Sequence, residues 1–449
     1  MQGKRLTRRQ FVQLSGLSLA GAALAACAAP AAGPAPASSG GESAPSAEVT
    51  EVRFATDWVE GARGATIETA MKDFPEEHPE ISVILEPIGG DYFDRLQIQF
   101  SGGTVADVIL FEGVLAPDYI AEGLLADLAP TLESMTIDMS KWRPGAVDIF
   151  LQEGKVYALP FQLTPAIWVY NKTMFMEKGV PEPDDTWDWA KALEAAQALT
   201  DAPNTYGYWA RVDMNHGYGS MGLSNSDTHW VSDDFTQTMF GEPGFAEAIH
   251  WIIDSVHEYQ VSPLPAEVEG LLTAGVSNLF VTGKIAMNPV NAGSVGSFTR
   301  DIGDRFEWDI MPTPKAPQTS RGGGLWNDQP HVVTANAIER NVLAQATELV
   351  LYLAGDEVQG NIAKDRGSCP TVAAIQESDI YLAPPPNNMQ VVIDELKQEV
   401  GPKYFPRFLE WYNAVNKEFE LGLIGERSAD DTIEAMVTEG NKILASLQD

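Results

Sequence analysis

The middle of the chain reads Val156-Tyr157-Ala158-Leu159-Pro160-Phe161, then Val169-Tyr170-Asn171-Lys172, then Thr186-Trp187-Asp188-Trp189. The apolar run Ala166–Asn171 is rich in β-branched and aromatic residues and predicts a strand. The run Thr186–Thr200 predicts a helix, because Thr186 can cap its N-terminus and apolar residues recur at helical spacing after it. A strand followed by an amphipathic helix is the unit from which α/β folds are built.

The same alternation continues upstream. Strand-like runs at Val49–Ala55, Ile81–Ile88 and Asp107–Glu112 enclose helical patterns around Ile67–Phe74 and Tyr92–Phe100. This order predicts an α/β fold with a largely parallel sheet.

Downstream segments extend the pattern. Further strands are expected at Ile285–Val290, Glu307–Met311 and Val332–Asn336. The periodic run Asn341–Ala354 predicts a helix that ends with Gly355 as its C-cap. From Val391 onward the chain reads as mostly helical, and no internal repeat is found.

The first residues have the features of an export signal. Four positive charges between Lys4 and Arg9 precede the apolar stretch Leu14–Ala26, which is shorter than the roughly 20 residues needed to span a bilayer. The run from Thr7 to Val12 resembles a twin-arginine motif, and Leu24-Ala25-Ala26-Cys27 resembles a bacterial lipobox. We therefore predict a signal peptide over residues 1–26, lipidation of Cys27 and an exported protein held at the outer face of the cytoplasmic membrane.

The composition of the chain limits its possible partners and functions. Residues 27–48 are rich in Pro, Ala, Gly and Ser, which predicts a flexible tether. The net charge is −34 and becomes more negative once the signal is removed, so nucleic acid is not an expected partner. Apart from Cys27 the only cysteine is Cys369, which leaves no intramolecular disulfide. No G-x-S-x-G elbow and no H-E-x-x-H motif occurs, and no metal, cofactor or catalytic residue is expected.

The central stretch is similar to the signature of family 1 extracellular solute-binding proteins, the sugar-binding components of ABC importers. Four other stretches agree in order along the chain. They are Gly102–Val108, Glu122–Leu128, Leu279–Met287, and Gly322–Gly324 with Val332–Thr334. The resemblance covers almost the whole folded chain.

This resemblance implies a two-lobed periplasmic-binding-protein-like fold of type II, with three hinge crossings and the ligand held between the lobes. Lobe 1 is expected to hold 49–159 and 331–380, and lobe 2 to hold 163–326 and 381–449. The crossings fall near Pro160–Thr164, Leu325–His331 and Ala373–Pro385. The implied function is capture of a carbohydrate, expected to be an oligosaccharide, by a monomer that delivers it to the permease subunits of an ABC transporter.

Ligand sites in open α/β sheets gather at the carboxyl ends of strands, and aromatic rings suit the apolar face of a sugar. Strand ends select Trp58, Phe111 and Glu112, and the family pattern adds contacts at the hinge and in lobe 2. The full set of expected ligand-binding residues is Trp58, Phe111, Glu112, Phe161, Gln162, Trp209, Arg211, Trp230, Asn291, Trp326 and Trp411. Thr164 stands where the family commonly has an acidic residue.

Two other functions stay open from the sequence. A secreted glycoside hydrolase would share the aromatic residues but would need two carboxyl groups flanking the cleft. A binding protein for a polyamine, a metal or a phosphoester would differ in the charges that line the cleft. The count of acidic against neutral polar groups in the cleft discriminates between these ligands.

Overall fold

The computed structural model describes residues 49–90, 92–273 and 278–447. The predicted signal peptide and tether, with Cys27, lie outside these residues. The strands are β1 (Thr50–Thr56), β2 (Ile81–Pro87), β3 (Val108–Leu110), β4 (Leu151–Gln152), β5 (Lys155–Val156), β6 (Ala158–Asn171), β7 (Tyr206–Tyr208), β8 (Ile285–Asn291), β9 (Trp308–Met311) and β10 (Trp326–Val333).

Helices separate most of these strands. In the first half of the chain they are α1 (Gly61–Glu77), α2 (Tyr92–Ser101), α3 (Ala116–Ala121), α4 (Ala129–Met135), α5 (Lys172–Lys178), α6 (Trp189–Leu199) and α7 (Tyr218–Ser224). In the second half they are α8 (Pro243–His257), α9 (Pro265–Thr273), α10 (Val295–Ile302), α11 (Ala335–Glu339), α12 (Leu343–Leu353), α13 (Asp356–Asp365), α14 (Ala373–Gln376), α15 (Asp379–Leu382), α16 (Met389–Leu396), α17 (Phe408–Leu423) and α18 (Ala429–Ala445). None of the helices described is long and apolar enough to cross a membrane.

The main sheet is mixed, with the strand order β2-β1-β3-β10-β6-β8-β7 and with β9 also paired to β6. Parallel pairing joins β1 to β2 and to β3, and β7 to β8. Strand β10 is antiparallel to both β3 and β6, and β6 is antiparallel to β8 and β9. The expectation of a largely parallel sheet was therefore wrong, because the two long central strands, β6 and β10, are antiparallel to each other and to their other neighbours.

Strand β6 connects the two halves of the sheet. All 14 of its residues are buried; its first half pairs with β10, and its second half pairs with β8 and β9. Two prolines lie within it, although proline cannot donate to a strand ladder. Pro160 faces an irregularity in β10, where the register shifts between Gln329 and His331 around Pro330. The segment Pro160–Thr164, which the sequence marks as a break, is thus the interior of a strand.

Two predicted helix ends were also wrong. The cap of α6 is Asp188, whose side chain accepts a hydrogen bond from the Lys191 N–H, whereas Thr186 donates its hydroxyl to Asp184. Gly355 does not cap α12 but has an extended conformation and precedes α13. The predicted strands at β1, β2, β3 and β8 are confirmed to within a few residues, and three helices confirm the helical C-terminus.

Three hydrophobic clusters form the interior. The first joins β1–β3 to α1 and α12, through side chains such as Phe54, Ile109 and Leu349. The second and third pack on the second half of β6 and include residues as distant in sequence as Trp168, Ile252 and Phe419. Because β6 and β10 run from the first cluster to the others, this two-stranded ribbon positions the surfaces that lie between them.

Candidate functional site

Two cavities lie side by side between the elements of the first cluster and those of the other two. The central cavity has a volume of about 330 Å³ and is bounded by the loop after β3, by β10, and by the segments around His216 and Tyr404. The arginine cavity has a volume of about 630 Å³ and is bounded by the starts of α1 and α10 and by the end of α13. Arg63 and Asn291 line both cavities, so the two cavities adjoin each other, and together they are called the cleft.

The floor of the central cavity is a network of amide and carboxyl groups. Glu112 follows β3, at the strand end where the sequence predicts a ligand contact. Its carboxylate accepts a 2.8 Å hydrogen bond from the side-chain amide of Gln329 on β10. Gln329 in turn accepts a hydrogen bond from the amide of Gln162 on β6. Burial raises the pKa of Glu112 above its usual value, although the Gln329 hydrogen bond acts in the opposite direction.

Asp328, next to Gln329, is the most unusual group in this floor. It is 4% exposed, and neither carboxyl oxygen has a hydrogen-bond partner within the described residues. Burial raises the pKa of Asp328 to about 7, and the neighbouring Glu112 charge acts in the same direction. A buried carboxyl group without a partner is costly. Because Asp328 lines the cavity, a hydrogen-bond donor on a bound molecule can supply that partner.

The opposite wall is a hydrogen-bonded chain that ends at Asn291. The Asn291 amide lies 3.2 Å from His216 Nε2, and His216 Nδ1 lies 2.6 Å from Asp213. Arg211 donates to the same carboxylate at 3.2 Å. Burial acts to raise the pKa of Asp213, but His216 and Arg211 outweigh it and hold this pKa below its usual value. Asn291 and His216 line the cavity, whereas Arg211 acts on it only through Asp213 and His216.

Aromatic residues with a spacing of four form a third wall. Tyr404 precedes α17, and Phe408 and Tyr412 lie one turn apart on it. The rings of Phe408 and Tyr412 are nearly parallel, at 10°, with centroids 6.4 Å apart. Tyr404 donates its hydroxyl to the Asn327 side chain at 3.0 Å, which ties this wall to β10. From this region only Trp411 was predicted to contact the ligand, and these three residues were not selected.

Trp58 and Phe161 lie behind the cavity wall. Trp58 is buried against Phe161, with ring centroids 4.6 Å apart. The guanidinium of Arg63 lies over the Trp58 ring at 5.2 Å and separates it from the cleft. These two predicted aromatic residues therefore pack beneath Arg63, a residue that was not among the predicted ligand contacts.

The remaining predicted aromatic residues pack elsewhere. Phe111 is fully buried against Tyr119 and Phe150. Trp230 and Trp411 are fully buried in the second cluster, and their indole nitrogens donate to Lys403 O and Thr238.

Trp209 lies under Arg211, whose guanidinium is 4.3 Å from the ring centroid, and Trp326 packs beside Gly145 and Gly401. None of these five residues lines either cavity, so we leave them out of the proposed site. Of the eleven predicted residues, Glu112 and Asn291 line the central cavity, and Gln162 reaches its floor through Gln329.

The chain is similar in sequence to known binding proteins. The sequence of a lactose-binding protein from Rhizobium radiobacter is 22% identical over 351 residues, which are 73% of this chain and 76% of that protein. The sn-glycerol-3-phosphate-binding periplasmic protein of Brucella melitensis is 22% identical over 414 residues, 86% of this chain and 92% of that protein.

The chain is also similar to solved structures of binding proteins. An ABC substrate-binding protein from Listeria monocytogenes in complex with cycloalternan superposes with a TM-score of 0.78 at 26% identity, covering 88% of this chain and 99% of that one. This likeness confirms the expected two-lobed α/β fold. The family model described as bacterial extracellular solute-binding protein matches residues 69–387, well over half of the chain. The chain therefore belongs to the bacterial extracellular solute-binding proteins.

Proposed function

We propose that this protein captures a carbohydrate in the central cavity and delivers it to the permease of an ABC importer. One observation carries the proposal: the cavity combines the tyrosine rings at 404 and 412 with a floor and wall of amide and carboxyl groups. A sugar ring has an apolar face that packs on aromatic rings and a hydroxyl edge that needs donors and acceptors. Relatives named for binding lactose and cycloalternan support this ligand class.

The lining favours neutral hydroxyl groups over a polyamine. Two acidic residues, Glu112 and Asp328, line the central cavity, where neutral polar residues outnumber them. These neutral groups are Thr164, Asn215, Asn291, Asn327, Gln329, Tyr404 and Tyr412. A polyamine site would need carboxylates along the whole length of the ligand. Here the two carboxyl groups, Glu112 and Asp328, both lie in the floor of the cavity.

The same placement argues against a glycoside hydrolase. Its two carboxyl groups must lie on either side of the scissile bond. Asp328 is itself a residue of β10, and Glu112 is hydrogen-bonded to Gln329 of the same strand. The two carboxyl groups therefore lie on the same side of the cavity. We propose that the protein binds its ligand without chemical change, as its family does.

The ribbon of β6 and β10 supports the proposed division into lobes. We propose that residues 49–159 and 331–380 form one lobe and that 163–326 and 381–449 form the other. The first hydrophobic cluster draws on residues 52–161 and 332–372, which agrees with the first lobe. Bending of the ribbon would then open and close the cleft.

We propose that Cys27 carries a lipid and that residues 27–48 tether the folded body to the membrane as a monomer. Anchoring beside the permease would raise the effective concentration of captured solute there. In cells, the Cys27→Ser variant is expected in the soluble fraction while the parent protein pellets with membranes. A parent protein that is already soluble would contradict the lipid anchor.

Titration of the mature protein with mono- and oligosaccharides tests the binding function. We expect at least one sugar to give a saturable heat signal and to reduce the radius of gyration in X-ray scattering as the lobes close. Glucose, galactose, lactose, maltose and longer α-glucans form the panel. If no sugar in this panel binds, and none raises the melting temperature, the carbohydrate proposal fails.

A further inference from the structure

The arginine cavity is chemically different from the central cavity. Arg63 from α1, Arg300 from α10 and Arg366 at the end of α13 line it, and Glu60 is its one acidic lining residue. The whole chain has 63 acidic and 29 basic residues, so a cavity with three arginines and one acid departs strongly from the average surface. Such a local excess of positive charge attracts anions.

Two of these guanidinium groups have carbonyl partners only. Arg63 donates through Nε to Gly367 O at 3.0 Å, and Arg366 donates to the carbonyls of Tyr381 and Ala383. Within the described residues neither forms an ion pair, while Arg300 pairs with its neighbour Asp301 at 2.9 Å. Carbonyl groups orient a guanidinium but do not neutralise its charge. Burial lowers the pKa of Arg63, although the nearby Asp57 carboxylate acts in the opposite direction.

The arginines reach across the cleft from opposite walls. A Cβ on Gly293 would lie 2.9 Å from Arg63 Nη2, so the α1 arginine extends to the segment before α10. A Cβ on Gly61 would lie 3.2 Å from Arg300 Nη1, so the α10 arginine extends to the start of α1. Helix α1 belongs to the first cluster and α10 to the third. An anion between them would therefore be held from both sides.

We propose that the arginine cavity binds an anionic group, a phosphate or a carboxylate, carried by the same solute whose sugar ring occupies the central cavity. This inference rests on the proposed function. The cavities share Arg63 and Asn291, so one molecule can occupy both. Guanidinium groups match phosphate and carboxylate through paired N–H donors. Glu112, which lines the central cavity and not the arginine cavity, repels an anion and so favours the orientation that places the anionic group among the arginines.

Calorimetric titration with matched neutral and anionic sugars tests the inference. The pairs are glucose with glucose 6-phosphate, glucose with glucuronic acid, and maltose with maltose 1-phosphate, and sodium phosphate serves as the anion alone. For at least one pair we expect the anionic member to bind roughly 10- to 100-fold more tightly, as charge-assisted hydrogen bonds imply. This advantage should shrink as salt is raised.

Two variants locate the effect. Arg300→Gln should remove most of the difference in affinity between the anionic and the neutral member of a pair. Binding of the neutral member should be unchanged, because Arg300 lines the arginine cavity and not the central cavity. Arg95→Gln makes the same charge change on an exposed position of α2 and should bind both members as the parent does. Equal loss in both variants would assign the effect to net charge and overturn the inference.

The outcomes separate this inference from the proposed function. If neutral sugars bind and no anionic partner binds more tightly, the anion site is refuted while carbohydrate capture stands. If anionic sugars and phosphate bind in an Arg300-dependent way but no neutral sugar does, the anion site stands and the central cavity is not a general sugar site. If nothing in either panel binds, both proposals fail.

Discussion

Gln329 donates its side-chain amide to Glu112 at 2.8 Å, and this contact joins the ribbon of β6 and β10 to the end of β3. Gln162 extends the network across the ribbon to β6. The floor of the central cavity is therefore built on the ribbon that we propose bends during closure. A substitution at Glu112 is expected to change binding more than folding.

Glu112→Gln tests that expectation. The variant keeps an amide that can pair with Gln329 but loses a charged acceptor facing the cavity, so affinity for the sugar should fall roughly 10- to 100-fold. Burial raises the pKa of Glu112, which means that its charge costs folding free energy; stability at pH 7.5 should be unchanged or slightly higher. Calorimetry and urea unfolding measure the two quantities. Glu177→Gln, at an exposed site, is the control.

Asp328→Asn should stabilise the protein in a pH-dependent way. The pKa of Asp328 is raised from 3.8 to about 7, so the folded state holds a proton that the unfolded chain releases. The stability of the parent protein should therefore fall as pH rises from about 4 to 7, with the full penalty above pH 7. A shift of this size corresponds to an upper bound of about 4 kcal/mol.

Urea unfolding at pH 4.5 and pH 8 measures this gain, which should be much larger at pH 8. Asp185→Asn, at an exposed position, should change stability equally at the two pH values. The groups that face Asp328 are Glu112 and Tyr404, and both are unchanged in these variants. A stability gain at pH 4.5 equal to that at pH 8 would show that Asp328 is ionised throughout.

The sequence predicted the ends of strands better than their continuity. Glu112 was selected because it lies where a predicted strand ends, and Asn291 was selected because the family pattern implies a contact there. Asp328 and Gln329 were missed because Leu325–His331 was read as a crossing, and only pairing with β6 makes it a strand. Each of Pro160 and Pro330, taken alone, suggests the end of a strand, because proline cannot donate to a strand ladder. The strands continue because the register between β6 and β10 shifts at these prolines, and this shift cannot be seen from either strand alone.

The burial of the predicted tryptophans could not be inferred from the sequence for a related reason. Trp230 lies in a polar loop, which suggests exposure, but it packs on Phe408, nearly 180 residues later in the chain. Long-range packing of this kind leaves no local pattern. The same contacts bring Tyr404 and Tyr412 to the cleft, so neither set could be assigned before the lobe was assembled.

Neighbouring residues on α17 should respond differently to truncation. Tyr412 lines the central cavity, so Tyr412→Ala should weaken sugar binding roughly 3- to 10-fold with a small change in stability. Trp411 is fully buried, so Trp411→Ala should cost about 3–5 kcal/mol of unfolding free energy while the folded fraction binds normally. Tyr412→Phe keeps the ring and should retain most of the affinity. If folded Trp411→Ala binds sugar more weakly than Tyr412→Ala does, Trp411 contributes to the binding site and its exclusion from the proposed site is wrong.

Gly113→Ala should disturb the floor of the central cavity directly. Gly113 begins the turn after Glu112, and a Cβ there would lie 2.5 Å from Asp328 Oδ1 and 3.1 Å from a ring carbon of Tyr404. Neither neighbour can move away freely, because one is buried in β10 and the other is hydrogen-bonded to Asn327. The added methyl should therefore lower sugar affinity at least about tenfold and stability by about 1–3 kcal/mol.

Gly360→Ala is the matched control for this change. Gly360 lies inside α13 with open space around its Cα, so the added methyl should stabilise that helix by about 0.5–1 kcal/mol and leave affinity unchanged. Calorimetry and urea unfolding compare the pair under the same conditions. If Gly113→Ala binds sugar as the parent protein does, the ligand does not depend on the position of Asp328 and Tyr404, and the proposed floor is wrong.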